Sequence, residues 1–94
     1  MAHTRETAEV LALLILGWLA GNEELLPVFL SASGASEADV KAGAKDPVFL
    51  ASVLDFVMMD DAWVVESCDS LGRPYESVMQ ARQALPGGAE VSWT

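Results

Sequence analysis

The residues of this chain that could do chemistry are one histidine, one cysteine and a group of acidic side chains. The acidic group lies between positions 55 and 69 and comprises Asp55, Asp60, Asp61, Glu66 and Asp69. Carboxylate oxygens bind hard divalent cations, so a carboxylate metal site is one hypothesis for this group. No calcium-loop spacing is present, however, and Asp60 and Asp61 suit a helix cap and a first helical turn. The spacing therefore favours capping and a solvated helix face, with metal binding as an alternative.

Nucleophilic catalysis has little support in the sequence. His3 lies at the N-terminus, and Cys68 falls among apolar residues of a predicted helix with no base placed to activate its thiol. No HExxH, GxSxG or glycine-rich phosphate loop is present, and Gly87-Gly88 follows a helix where a phosphate loop would precede one. We therefore predict that the protein is not an enzyme, and we assign no catalytic, cofactor-binding or metal-binding residue.

Composition points to a small domain with a partner. The chain has 94 residues, 52% of them hydrophobic, and a net charge of -9 from 14 acidic and 5 basic residues. A domain of this size cannot easily bury so much apolar material, so some of it is expected at the surface, covered by a second copy or by another protein. The negative charge argues against nucleic acid and anionic membranes as partners.

The sequence also predicts a cytoplasmic location. The single cysteine excludes an intrachain disulfide, which fits a reducing compartment. The apolar run Val10–Ala20 is too short for a transmembrane helix, and it lacks the positively charged flank of a signal peptide because Arg5 is offset by Glu6 and Glu9. We predict no membrane segment.

Helical periodicity and cap residues predict a single all-α domain over residues 1–94, a compact bundle of five or six short helices. The predicted helices cover about 4–20, 23–33, 36–44, 47–59, 61–71 and 74–85, and the tail 86–94 is irregular. Asp46 and Pro47 mark the start of the mid-chain helix. Val10–Ala20 and Phe49–Val57 are the expected central elements. The first is apolar all round, so we expect it to be buried on most sides, with a close helix-helix approach at Gly17.

The two halves of the chain share a pattern at an offset of 38 residues. Gly34 aligns with Gly72, and each half reads as a long apolar helix, a capped second helix, a glycine stop and a short third helix. The pattern is compatible with two trihelical units of common descent. It is equally compatible with two unrelated halves whose helices begin and end at similar capping residues. The glycine corners have the spacing of helix-turn-helix motifs, which gives a nucleic-acid-binding or regulatory protein as an alternative. Glu37 and Asp39 offset the lysines of the helix after Gly34, and this argues against phosphate contacts.

Large apolar side chains near the end of the mid-chain helix are the remaining functional candidates. Tryptophan and methionine are common at interface centres, and methionine adapts to irregular surfaces. The predicted interface residues are Met58, Met59, Trp63 and Trp93. Filling of the core is the alternative role for these residues. We predict a non-enzymatic protein-protein interaction module that self-associates, most simply as a homodimer.

Three segments of the chain resemble one protein family. They are LALLILGWLAG, DPVFLASVLDF and LGRPYESVMQARQAL, within residues 7–85. Their shared elements are the helix that ends Gly17-Trp18-Leu19-Ala20-Gly21, the Asp46-Pro47-x-Phe49-Leu50 start and the Leu71-Gly72-x-Pro74 corner. The chain in this respect resembles domain of unknown function 3572, a family of short, all-helical alphaproteobacterial proteins. The resemblance implies a cytoplasmic bacterial helical domain and supplies no catalytic or binding residue.

Overall fold

Six helices make up the part of the chain that the computed structural model describes, residues 4–85, and no strand occurs in it. In chain order they are α1 (Arg5–Ala20), α2 (Leu25–Ser33), α3 (Glu37–Gly43), α4 (Pro47–Val57), α5 (Asp61–Leu71) and α6 (Glu76–Ala84). The predicted all-α bundle is therefore confirmed. The predicted tail 86–94 lies outside the described residues.

Side-chain caps and two glycines set most of the helix ends. Asp46 and Asp60 each accept a hydrogen bond from the backbone N–H two residues later, at 2.9 Å, and Ser36 forms a capping box with Asp39. These bonds satisfy N–H groups that the first helical turn leaves without partners. Gly34 and Gly72 end α2 and α5 with φ of 75° and 69°, a left-handed conformation that glycine adopts at little cost.

Three helix boundaries differ from the sequence prediction by two residues, and the others agree with it to within one residue. α2 begins at Leu25, although Asn22 caps the turn before it: its side chain accepts hydrogen bonds from the N–H groups two and three residues later, at 3.0 and 3.1 Å, and its carbonyl oxygen accepts one from the Leu26 N–H at 2.9 Å. α6 begins at Glu76 because a separate turn forms on the Pro74 carbonyl oxygen, which accepts a hydrogen bond from the Ser77 N–H. α4 ends at Val57, and the two methionines that follow form a turn.

A single core forms around α1 and α4, the two predicted central helices. α1 packs against α4, α5 and α6, while α2 packs on α1 and α3 packs on α4. The fully buried large side chains of the core are Leu11, Ile15, Leu19, Phe29, Val53, Leu54, Val57, Cys68 and Val78. The halves do not fold as two separate trihelical units, since α6 packs on α1 of the other half and α3 packs on α4. Whether the halves share an origin stays a prediction.

The expectation that α1 is buried on most sides is wrong. One face is buried, but Val10 is 54% exposed and Leu13 is 46% exposed on the opposite face. The physical reason is that all the partners of α1 pack on the same side of it, and a domain of this size has no further helix to cover the other side. The predicted close approach at Gly17 is also wrong, because a Cβ placed there would have no atom within 4 Å.

Among residues 4–85, no single helix has the length and hydropathy to cross a membrane. α1 and α2 satisfy both criteria only when they are taken together, and the pair is bent by 116°.

Candidate interaction surfaces

The exposed side of α1 presents an unusual apolar surface, which we call the aliphatic face: Val10, Leu13, Leu14 and Gly17. These residues lie three or four positions apart and therefore fall on one side of the helix. No charged residue occurs between Val10 and Gly21. Along one border, Val10 and Leu13 line a depression together with Ala44, Lys45 and Leu50. The face is thus continuous with the turn between α3 and α4.

The C-terminal end of the aliphatic face is open. Gly17 and Gly21 line a depression of about 510 Å³ that continues into the turn before α2, where Glu23 and Glu24 are exposed. The missing side chain at Gly17 leaves the helix backbone accessible there. At the other end of α1, Arg5 forms an ion pair with Glu9 at 3.3 Å. With Glu6, this end has one positive and two negative side chains, so it is less acidic than the end at Glu23 and Glu24.

A second surface, which we call the methionine groove, lies where the turn after α4 meets α5 and α6. Its apolar lining consists of Met58, Val64, Tyr75, Val78 and Met79, and its acidic residues are Asp61 and Glu76. The groove has a volume of about 420 Å³. Val78 is buried beneath it, whereas Tyr75 and Met79 are among the large exposed apolar side chains of the protein. This groove therefore combines a fixed floor with exposed walls.

The position of Tyr75 in the groove is fixed by a hydrogen bond. Its hydroxyl group donates to Asp69 Oδ1 at 2.8 Å, from α5. Loss of the donated proton would place a phenolate beside this carboxylate, so the hydrogen bond to Asp69 raises the pKa of Tyr75 above its usual value. The hydroxyl group therefore keeps its proton and remains a donor to Asp69.

The predicted interface residues occupy different places. Met58 lines the methionine groove, whereas Met59, which is 75% exposed, lines a separate depression between α2 and α4 with Phe29 and Phe56. Trp63 is partly buried and stacks on Phe56, with ring centroids 4.8 Å apart. Met58 and Met59 therefore face two different grooves, and Trp63 packs on α4. Trp93 lies outside the described residues, and the role of all four at an interface stays a prediction.

Three of the five acidic side chains between positions 55 and 69 have local partners. Asp55 accepts a hydrogen bond from Arg82 at 2.7 Å, Asp60 caps α5, and Asp69 binds Tyr75. Within residues 4–85, no group of three or more histidine, cysteine, aspartate or glutamate side chains is placed to hold a metal ion. The geometry of this part of the chain therefore gives the metal-binding alternative no support.

The two helix-glycine-helix corners present no basic surface. α3 has seven residues and carries Glu37 and Asp39 in its first turn against Lys41 in its last. In α6, the side chain of Arg82 is largely buried and bonded to Asp55, so it is not presented to a phosphate backbone. The nucleic-acid alternative consequently has no surface in the described corners that supports it.

Cys68 is buried, as the sequence predicts for a structural thiol. Burial raises the pKa of this thiol above its usual value, and the charges of Asp69 and Glu76 add to the effect, while the Ser67 hydroxyl opposes it. The thiolate is the reactive form of cysteine. Both burial and the raised pKa therefore disfavour a nucleophilic role.

We expect Cys68 in the native protein to react with iodoacetamide much more slowly than in urea-unfolded protein at the same pH, because the thiol is inaccessible and protonated. A second consequence concerns stability. As the pH rises above about 9, the thiol ionises first in the unfolded chain, so the free energy of unfolding falls. Mass spectrometry of the alkylated protein checks the first result. Equal rates of alkylation for native and unfolded protein would contradict the burial of the thiol. For the pH dependence of the free energy of unfolding, Cys68→Ala is the control.

Sequence reasoning missed the aliphatic face and part of the methionine groove. Because α1 is apolar on all sides, its sequence does not indicate which side the neighbouring helices leave uncovered. Tyr75 and Met79 come from a segment 16 or more residues after Met59 in the chain, and the two were not linked to the methionine pair by any spacing rule. Only the packing of α5 and α6 on α4 brings Tyr75 and Met79 to Met58.

Comparison with known proteins places the chain in a family. No curated protein and no solved structure matches it. Residues 5–88 match the family described as "Protein of unknown function (DUF3572)". This match spans nearly the whole chain and confirms the resemblance that the three sequence segments indicate. The chain is a member of this family of proteins of unknown function.

Proposed function

We propose that this protein is a non-enzymatic protein-protein interaction module that self-associates through the aliphatic face of α1. The observation that carries the proposal is the exposure of Val10, Leu13 and Leu14 on one side of a helix. Contiguous apolar surfaces bordered by polar residues are typical of interaction sites. An interaction through this face needs no catalytic group, and the only cysteine is buried.

A second copy is the occupant that we propose, because the aliphatic face itself carries no charge. The chain has a net charge of -9, so two copies repel each other over most of their surfaces. The aliphatic face lies in a charge-free stretch between Val10 and Gly21, where this repulsion is smallest. Two-fold symmetry brings the same surface of both copies together, so a self-complementary apolar helix face is suited to a homodimer.

The ends of α1 favour an antiparallel arrangement of the two copies. In an antiparallel pair, the N-terminus of one α1 lies near Glu23 and Glu24 of the second copy. Arg5 does not make this end positive, because Glu6 and Glu9 offset it. The backbone of the helix N-terminus carries a partial positive charge, however, which stabilises the glutamates there. A parallel pair would instead bring Glu23 and Glu24 of one copy against the same residues of the other.

The same arrangement uses the open backbone at Gly17. When the antiparallel pair crosses between Leu13 and Leu14, Val10 of one copy lies opposite Gly17 of the other. The absence of a side chain at Gly17 leaves room for the valine, since nothing in the same chain fills that space. The alternation of a large and a small residue lets the helices approach closely.

The size of the face limits the affinity. A helix of 16 residues is about 24 Å long and about 10 Å wide, so its footprint is on the order of 240 Å². Stable specific interfaces bury about 800 Å² on each partner. Even with the neighbouring turn between α3 and α4, we therefore expect a weak dimer, with a dissociation constant in the micromolar range or above.

Leu13→Glu is expected to abolish self-association because it places a charge in the centre of the aliphatic face. Val28→Glu is the matched control: Val28 lies on α2 and has the same 46% exposure, and the substitution changes the net charge equally. The measurement is light scattering or sedimentation over a concentration series. We expect the wild type and Val28→Glu to rise toward the dimer mass while Leu13→Glu stays monomeric. Added salt should strengthen the dimer by screening the net charge.

Two outcomes would contradict this proposal in different ways. A wild-type protein that remains monomeric at millimolar concentration would refute self-association altogether. A Leu13→Glu variant that dimerises as the wild type does would show that the interface lies elsewhere. Circular dichroism of both variants establishes that each remains folded.

A further inference from the structure

We propose that the methionine groove binds a basic amphipathic helix of another protein. This inference does not rest on self-association, because the groove lies at the turn after α4 and along α5 and α6, away from the exposed side of α1. It concerns a different surface and a different kind of partner. Three features of residues 4–85 support it: the apolar lining of the groove, the acidic residues beside it, and the lack of a basic helix or a strand edge that would suit another kind of partner.

The apolar lining is suited to a helix face. Val78 forms a buried floor, and Met58, Val64, Tyr75 and Met79 form the sides. Methionine side chains repack at little cost, so such a surface accepts apolar anchors of different shapes. An amphipathic helix presents anchors at three- and four-residue spacing, and these insert into a groove of this kind. The tethered ring of Tyr75 gives the wall one rigid element.

The charge around the groove is acidic. Asp61 and Glu76 line it, Asp60 precedes α5, and Asp69 holds Tyr75. Within the loop that joins α5 to α6, Arg73 is the basic residue. Two carboxylates line the apolar groove and two others are adjacent to lining residues, in a protein of net charge -9. A partner with lysine or arginine beside its apolar face is therefore attracted and oriented. Nucleic acids and anionic membranes are repelled by the same charges.

A second copy of this chain does not fit the groove. None of the six described helices carries more basic than acidic residues; α6 is balanced, with Glu76 and Arg82, and α1 has Arg5 against two glutamates. A homotypic contact would therefore bring to the acidic groove a helix that is either acidic or without net charge, and none that the groove attracts. Addition of a β-strand is also excluded within residues 4–85, because these residues contain no strand whose edge could be extended. The basic helix is the occupant that remains.

The test uses a fluorescein-labelled model peptide of about 18 residues in which leucine forms one helix face and lysine the other. A peptide with the same pattern and glutamate in place of lysine is the control ligand. Fluorescence anisotropy is measured with the wild-type protein at several salt concentrations. We expect saturable binding of the lysine peptide that weakens with salt, and no binding of the glutamate peptide.

Met79→Asp separates binding in the groove from general attraction to an acidic protein. Met79 is 54% exposed, so the substitution is compatible with folding, and it makes the protein more acidic. General electrostatic attraction predicts unchanged or tighter binding, whereas a groove that receives apolar anchors predicts binding about tenfold weaker or worse. Val48→Asp is the matched control, since Val48 is 65% exposed on α4 and its substitution adds the same charge. We expect it to bind within about twofold of the wild type.

A second pair of variants tests the charge at the groove. Glu76→Gln should weaken binding several-fold and reduce its salt dependence, whereas Glu37→Gln on α3 removes the same charge away from the groove and should have a small effect. Equal effects of Met79→Asp and Val48→Asp, or of Glu76→Gln and Glu37→Gln, would overturn the proposal. Failure of the lysine peptide to bind at high micromolar concentration would also overturn it.

The two proposals remain distinguishable because the peptide titration can be repeated in the Leu13→Glu variant. Loss of the dimer in this variant with retained peptide binding would support both proposals. A wild-type protein that is monomeric but binds the lysine peptide in the groove would refute self-association and leave the groove proposal standing. Peptide binding that disappears with Leu13→Glu, in a folded protein, would place the peptide on α1 and refute the groove.

Discussion

Replacing Phe29 with alanine is expected to lower the free energy of unfolding by about 3 to 5 kcal/mol. Phe29 is buried between two rings of α4: its centroid lies 5.9 Å from that of Phe49 and 5.2 Å from that of Phe56, both in edge-to-face arrangements. Trp63 stacks on Phe56 and continues this aromatic row. Because a small domain has about 5 to 15 kcal/mol of total stability, we expect this change to remove a large part of it.

Urea unfolding followed by far-ultraviolet circular dichroism measures this loss. Val28→Ala is the control on the same helix, where partial exposure limits the expected change to about 0.5 kcal/mol. Phe29→Leu should fall between the two, since it keeps apolar volume but loses the ring contacts. A loss below about 1 kcal/mol for Phe29→Ala would show that α2 and α4 repack around the missing ring.

Local signals in the sequence were sufficient to place the helices. Asp46 and Asp60 act as caps because their short carboxylates reach N–H groups of the following turn, a property of a few adjacent residues. The glycines at 34 and 72 end helices for an equally local reason, their positive φ. Asn22 also caps the turn before α2, through hydrogen bonds that its side chain accepts at 3.0 and 3.1 Å. At the start of α6 the prediction was less accurate, because a separate turn forms on the Pro74 carbonyl oxygen.

Tertiary packing determined what the sequence could not show. Every side of α1 is apolar in its second half, and only the positions of α4, α5 and α6 decide that Leu11 is buried while Leu13 is exposed. For the same reason, two adjacent methionines separate: α4 ends at Val57, and the turn directs Met58 and Met59 into different grooves. The sequence therefore indicated that some apolar side chains reach the surface, but not which sides of α1 and of the turn after α4 they occupy.

Gly43→Ala is expected to destabilise the protein by about 1 to 3 kcal/mol. Gly43 ends α3 and is buried, and a Cβ built on it would overlap the ring of Phe49 in α4. The ring cannot move away freely because it also packs edge-to-face on Phe29. The better helix propensity of alanine offsets about 1 kcal/mol of this strain. The loss of stability cannot exceed the free energy needed to detach the short α3 from α4, because detachment relieves the strain.

Gly17→Ala provides the opposite case, since a Cβ at Gly17 meets no atom within 4 Å. In the Leu13→Glu background, where no dimer is expected, Gly17→Ala should raise the free energy of unfolding by about 0.5 to 1 kcal/mol through helix propensity alone. Urea unfolding of both glycine variants in that background gives the comparison. A lower free energy of unfolding for Gly43→Ala and a higher one for Gly17→Ala would establish that the close helix approach is at Gly43. Equal stabilisation by both substitutions would show that Phe49 and α3 shift without strain, and the contact between α3 and α4 would then contribute little to the fold.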